Sequence, residues 1–308
     1  ASGEAIDLLS AKQGAVEIRS TLGHFHVPAA VMASSRWHEP DNPKLPLAAD
    51  QMSVTLKMAA TDAAKAEAVK KALSESGAAL VGSPVDFDIT AKAKAHDKPL
   101  ELKRFPQYME HRITWPQGMP GRITTAVGVD DNGELYHIPT RVEPRKDGSV
   151  EAIMHRLDAG TVAFVAHQAN LADVTFHWSN DAVNDLASRM ILSGKGSSED
   201  GAGAGSGADH ATLHFAPNAQ VNRAEFAAMI VRALGLPEVK GEGSAFQDVH
   251  AGDWYSGVIA QAVQYELIQG DAVGRFRPGQ GITRQEAMTV MARAMKLAGL
   301  TTLMNEKE

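Results

Sequence analysis

Val221-Asn222-Arg223-Ala224-Glu225-Phe226 and, further along, Ile282-Thr283-Arg284-Gln285-Glu286-Ala287 decide how the second half of this sequence is read. Each places a helix-capping residue, Asn222 or Thr283, three positions before a glutamate. In such a capping box the cap side chain accepts the third backbone N–H of a helix, and the glutamate reaches back to the cap's own N–H. The spacing therefore predicts two helix starts, at Arg223 and at Arg284. Apolar residues follow at helical intervals: Met229, Ile230 and Ala233 in the first, Val290, Met291, Ala294 and Met295 in the second. Gly235 with Pro237, and Gly299, are the expected stops.

Working outward, the surroundings of the two boxes also correspond. The first copy runs Ala172-Asp173-Val174, Trp178, Ile191-Leu192-Ser193-Gly194, Phe215-Ala216-Pro217, the first box, then Arg232. The second runs Phe246-Gln247-Asp248-Val249, Trp254-Tyr255, Leu267-Ile268-Gln269-Gly270, Phe276-Arg277-Pro278, the second box, then Arg293. Trp178 to Gly194 is the same step as Trp254 to Gly270. Phe215 to Arg223 matches Phe276 to Arg284, and Arg223 to Arg232 matches Arg284 to Arg293. This is an internal repeat, each copy planned as helix, loop, helix. A first helix is expected to begin near each Trp. In the second copy Val258, Ile259, Ala262 and Val263 form its apolar face, with Gly270 just past its end.

The Phe-x-Asp-Val, Trp, Gly, Phe-x-Pro and Ile-Thr-Arg-x-Glu elements, in this order, resemble the repeat of the S-layer homology family. The resemblance implies a non-catalytic anchor, with grooves between repeats that bind a secondary cell-wall polysaccharide often carrying pyruvylated N-acetylmannosamine. It implies an extracellular location, on the cell surface or in the cell wall of a Gram-positive bacterium. It also implies ligand-facing residues at matching positions: Arg223 and Arg284, Glu225 and Glu286, Trp178 and Trp254, Asp173 and Asp248, Gly194 and Gly270. The chemistry is consistent with such a ligand. A pyruvyl ketal adds a carboxylate to a sugar, and a helix start offers N–H groups and partial positive charge to an anion. An arginine in the first turn adds a forked, charge-assisted contact. Against this, Glu225 and Glu286 are already explained by capping, and Trp178 and Trp254 equally suit a core. Asp173 and Asp248 suit either a cap of the first helix or a brace for the arginine. Arg232 and Arg293 read as structural.

Two departures from the family's pattern stand out. Residues 195–214 form a Gly/Ala/Ser-rich insertion in the first copy, where the second needs only Asp271–Arg275. A flexible surface loop is expected there. Asp209-His210 and His214 within it read as solvated residues rather than metal ligands. The family usually has three repeats, whereas only Thr301–Glu308 follow Leu300. The expectation is a chain cut short or processed, or an edge covered by the N-terminal domain or by self-association with a second chain.

Residues 1–168 read as mostly strand. Alternation appears in Ala15–Arg19, Met52–Met58 and Val85–Thr90. Asp131-Asn132-Gly133-Glu134 and Asp147-Gly148 are turn signals, the latter joining Thr140–Glu143 to Val150–Arg156. One helix is expected, Ala63–Ser76, capped by Thr61-Asp62. His24-Phe25-His26, with His38 nearby, is a candidate for zinc, although exposed strand histidines are the commoner reading. Asp86 and Asp88 share a strand face, as glycosidase carboxylates sometimes do, although surface carboxylates are the commoner reading. Trp37, Trp115, Tyr108 and Tyr136 suit sugar stacking or, more often, a core.

The resulting fold class is α+β. A β-rich, sandwich-like domain with one helix (1–168) precedes an all-α bundle of two repeats, 169–240 and 241–308.

Composition narrows the function. A net charge of −7 without a basic stripe argues against nucleic acid. The absence of cysteine removes disulfides, thiolate metal sites and cysteine nucleophiles. No apolar run is long enough to insert in a membrane as a helix. Ala1-Ser2-Gly3-Glu4 lacks a basic flank and apolar core, so an internal fragment or a removed signal is expected. No catalytic motif is found, no cofactor is implied, and the reading is not an enzyme. The alternatives are the non-catalytic tail of a secreted polysaccharide-degrading enzyme, with the β-rich half as a carbohydrate-binding module, or a self-assembling S-layer subunit.

Overall fold

The structure, a computed structural model, describes residues 1–39, 42–115, 122–130, 133–192, 194, 214–239 and 245–300. The chain divides into two compact units. The first comprises Ala1–Lys71, Leu80–Glu134 and Ile138–Val165; the second comprises Ala72–Ala79, Leu135–His137 and Ala166–Glu308. The architecture is α+β, with strands concentrated in the N-terminal half.

In the first unit, β1 (Ala15–Ser20), β2 (Gly23–Pro28), β8 (Arg104–Trp115), β12 (Val150–Asp158) and β11 (Thr140–Pro144) form one sheet, in the order β1-β2-β8-β12-β11. A second sheet contains the run β9 (Thr125–Val129), β13 (Gly160–Ala166), β6 (Ala79–Ala93) and β5 (Met52–Ala60), with β7 (Leu100–Glu101) paired to β6. β3 (His38–Glu39) and β4 (Asn42–Pro46) form a separate pair. Alternate residues of a strand point to opposite faces, so each strand gives one set to the core. Phe25 and His111 come from the first sheet and Phe87 from the second; Phe25 and Phe87 meet edge-on at 5.4 Å. Trp115 and Phe164 do the same at 4.4 Å. The expected turn at Asp147-Gly148 is present: Gly148 takes φ 81°, and Asp147 Oδ1 accepts the Ser149 N–H at 2.9 Å. At the other turn, Asp131 and Asn132 lie outside the described residues.

The expectation of a single helix in this half needs correction. It holds more than one helix. Beside α3 (Ala63–Glu75), close to the expected span, there are α1 (Gly3–Ala11) and the short α2 (Ala29–Met32). The Ser2 hydroxyl caps α1 by accepting the Ala5 N–H; Ser2-x-x-Ala5 lacks the glutamate of a full box, which is why the start was not legible. Trp37 and Trp115 are buried, in keeping with the commoner core reading and not with sugar stacking; Trp37 donates its indole N–H to the Met32 carbonyl at 3.0 Å. Asp86 accepts hydrogen bonds from the Thr61 and Thr161 hydroxyls at 3.0 and 2.7 Å, a structural tie. Among the described residues no group of histidine and carboxylate side chains is arranged to hold a metal ion.

In the second unit each copy has the two expected helices. The first copy has α4 (Asn180–Ser188) and α5 (Arg223–Ala233), and the second has α6 (Ser256–Gln264) and α7 (Arg284–Leu297). Val258, Ile259 and Ala262 are buried, as their periodicity predicts. Gly235 and Gly299 adopt positive φ, one residue past the caps of α5 and α7. Gly270 plays a different part from the one expected. The left-handed residue after α6 is Glu266, φ 56°, matched by Met190, φ 62°, after α4. Gly270 instead lies against the Phe246 ring, where an added Cβ would come within 2.5 Å of ring carbon. Most of the insertion, including Asp209 and His210, lies outside the described residues.

Candidate functional site

Both capping boxes form as the sequence predicts. Asn222 Oδ1 accepts the Glu225 N–H at 2.8 Å while Glu225 accepts the Asn222 N–H at 2.9 Å. Thr283 and Glu286 make the same exchange at 3.2 and 2.9 Å. The Thr283 N–H, and behind it the partnership with Arg223, hold the Glu286 carboxyl below its usual range.

Asp173 and Asp248 neither cap the first helix nor brace the arginine. The Asp248 carboxylate accepts two successive backbone N–H groups, Phe276 and Arg277, both at 2.8 Å. Asp173 does the same for Phe215 and Ala216, at 3.0 and 2.6 Å. Burial pushes both carboxyls up, yet these donors hold them below the usual carboxylate range. The second N–H in each pair belongs to a residue with positive φ, Ala216 at 58° and Arg277 at 60°. Left-handed backbone is costly for a side chain with a Cβ. A charge-assisted pair of hydrogen bonds offsets that cost, so Asp and Phe-x-Pro act as one unit in both copies.

Each copy also forms a groove between its loop and its second helix. Gly194, Phe215, Glu225 and Arg232 line the first together with Trp254 from the second copy, and it holds about 150 Å³. The corresponding Gly270, Phe276, Glu286 and Arg293 line the second groove, with Arg223 and Phe226 of the first copy at one side. Among the described residues no tryptophan lines it, and it is about 510 Å³. Trp178, the counterpart of Trp254, is 91% exposed. Arg232 is tied to Glu238 at 2.9 Å, and Arg293 donates to the Leu267 carbonyl at 3.2 Å, so both read as structural while lining the grooves.

The two first-turn arginines differ most. Arg223 donates through Nε to the Phe276 carbonyl at 2.8 Å, pairs with Glu286, and lies over the Phe276 ring. The first N–H groups of α5 are taken as well: Arg223 donates to the Gln280 carbonyl at 2.9 Å and Ala224 to the Pro278 carbonyl at 3.1 Å. The start of α5 is thus occupied by the second copy. Arg284 is exposed, and among the described residues neither its side chain nor the Arg284 and Gln285 N–H groups have an acceptor. Of the residues expected to meet a ligand, the structure brings Gly270, Glu286 and Arg223 to the larger groove, and Gly194, Glu225 and Trp254 to the smaller one. Asp173 and Asp248 support the loops behind them. Arg277 and Gln285 also line the larger groove and were not singled out from sequence. Arg277 is the variable residue of Phe-x-Pro, where the first copy has Ala216, so comparison of the copies was the available signal.

Residues 171–227 and 245–288 match the S-layer homology domain, so the C-terminal half carries two such domains. An amylopullulanase of Thermoanaerobacterium thermosulfurigenes is 31% identical over 219 residues, covering 62% of this chain and 11% of that protein. Endo-1,4-beta-xylanase A of Thermoanaerobacterium saccharolyticum is 37% identical over 114 residues, 37% of this chain and 8% of that one. A surface-layer 125 kDa protein of Lysinibacillus sphaericus is 29% identical over 146 residues, 46% of this chain and 11% of that one. The chain thus spans about a tenth of the length of these curated relatives. The amylopullulanase match is longer than the stretch from Leu171 onward, so that similarity extends into the β-rich half.

Proposed function

We propose that the two S-layer homology domains of this chain attach a secreted protein to the bacterial cell wall by binding an anionic, pyruvylated secondary polysaccharide at the start of α7, where Gln285 and Glu286 border the larger groove. The observation that carries this reading is the contrast between the two first-turn arginines. Arg223 and the first N–H groups of α5 are used within the protein, whereas Arg284 and the first N–H groups of α7 have no acceptor among the described residues. An open helix start with a guanidinium beside it suits a sugar carboxylate. The S-layer homology domains themselves are non-catalytic, and the chain is placed at the cell surface.

The test is co-sedimentation of the chain with purified cell-wall sacculi, before and after the pyruvylated polysaccharide is extracted. Binding to intact sacculi and its loss after extraction are expected; equal binding to both would sink the mechanism.

A second reading concerns what is anchored. Similarity to an amylopullulanase and a xylanase supports a chain that is the tail of a secreted polysaccharide-degrading enzyme, with the β-rich unit as a carbohydrate-binding module. Similarity to surface-layer proteins supports a subunit that assembles with its own kind. For self-association, the relevant face is that of Arg284, Met288 and Met291 on α7, which is exposed where the equivalent face of α5 is covered by the second copy.

A further inference from the structure

The outward face of the first sheet carries a charge pattern that neither the core nor the anchor uses. Register places Glu17 opposite His26 and Arg19 opposite His24. His26 in turn lies opposite Glu110, and His24 opposite Arg112. Glu110 then faces His155, and Thr114 faces Glu151. Because the side-chain period in a strand is two, these residues share the face turned away from Phe25 and His111. They form cross-strand rows: one of Arg19, His24 and Arg112, and beside it one of Glu17, His26, Glu110 and His155.

The rows are stitched together by ion pairs. Glu17 holds Arg19 at 2.8 Å and both histidines at 3.4 Å. Arg112 bridges Glu110 at 2.7 Å and Glu151 at 3.4 Å, and Glu151 also meets Arg145 at 3.0 Å. Glu151 is only 6% exposed. A carboxylate that deeply placed on a sheet face is costly to desolvate, and two guanidiniums are needed to hold it there. Together these side chains line a concavity of about 540 Å³.

We propose that this concavity is a binding site for a neutral saccharide. Its three arginines face three carboxylates, so the lining offers no net charge to recruit an anion or a cation. Its polar lining disfavours an apolar ligand. A sugar hydroxyl is donor and acceptor at once, and alternating guanidinium, imidazole and carboxylate groups answer both roles at neighbouring positions. The ion pairs fix the rotamers in advance, which lowers the entropy lost on binding. The site gives residues to the carbohydrate-binding-module reading of the β-rich unit, on which it rests; it is independent of wall attachment by the repeats.

The experiment is isothermal titration of the whole chain with xylohexaose, maltohexaose and an N-acetylglucosamine tetramer, with oligogalacturonate as the charged control. At least one neutral saccharide is expected to bind, more tightly than oligogalacturonate. Arg112→Ala is expected to weaken it at least tenfold, and Arg19→Ala, on a 75% exposed side chain where folding is not at stake, severalfold. Arg284→Ala is expected to leave it unchanged while reducing sacculus binding, which separates this site from the anchor. No binding of any neutral saccharide, tighter binding of the charged control, or binding untouched by Arg19→Ala would each overturn the proposal.

Discussion

Arg223 of the first repeat places its guanidinium carbon 4.7 Å from the centre of the Phe276 ring of the second, while donating to the carbonyl of that same residue at 2.8 Å. One side chain thereby joins the start of one capped helix to the Phe-x-Pro loop of the next repeat, and its pairing with Glu286 ties it to the next capping box.

This joint should make Arg223 structural. Arg223→Ala leaves a partly buried carboxylate and a carbonyl short of a donor, and should lower stability by about 1–3 kcal/mol. Arg223→Lys should recover only part of this, because an ammonium cannot serve carbonyl, carboxylate and ring together. Chemical denaturation of the whole chain, followed by tryptophan fluorescence, measures both.

Arg284 should show the opposite profile. As an exposed residue, its change to Ala should move stability by less than about 0.5 kcal/mol. It should weaken sacculus binding more than Arg293→Ala does. If Arg293→Ala weakens binding more, the ligand site has been placed at the wrong end of α7.

Gly270→Ala should destabilise the second repeat by about 1–3 kcal/mol, since its Cβ would press on the Phe246 ring and approach the Arg275 carbonyl oxygen to 3.0 Å. Gly279→Ala, with nothing within 4 Å of the added atom, should be close to neutral. Thermal melts of the two variants compare them directly.

Stability should fall as pH drops, in two stages with different origins. His111 is fully buried, its ring centroid 4.1 Å from that of Phe25 and 4.5 Å from that of Phe87, and among the described residues neither ring nitrogen has a hydrogen-bond partner. Burial, and then the charge of Arg156, push its pKa well below the usual histidine value. The unfolded chain therefore binds a proton that the folded one refuses, and stability declines as pH falls below about 6.5. His137, lowered to about 4 chiefly by burial, acts in the same direction, so His111→Phe should reduce that first decline without abolishing it, as read by urea titrations between pH 7 and pH 5. Asp173, Asp248 and Glu286 have lowered pKa values, so their contribution is intact above the ordinary carboxylate range and disappears only as pH falls through their folded values. Asp248→Asn should blunt this second stage.

The repeat was legible because its determinants are local. A capping box occupies four consecutive residues, and Asn222–Glu225 and Thr283–Glu286 form theirs whatever else packs nearby. The strands of the β-rich half were legible where alternation and turn residues coincide, as around Asp147-Gly148. Sequence spacing also named the two arginines as equivalent. What it left open was their difference, because whether a side chain is free depends on residues distant in the chain. Phe276 and Glu286 reach Arg223 only once the second repeat has docked, and no corresponding loop among the described residues meets Arg284. The same holds for Asp173 and Asp248, whose partners lie across a loop, and for the striped sheet face, whose rows come from strands separated by most of the first unit. The sequence by itself determined the repeats and their helix starts; only the tertiary structure decided which start was used internally and which was left open, because hydrogen bonds and charges are satisfied across space rather than along the chain.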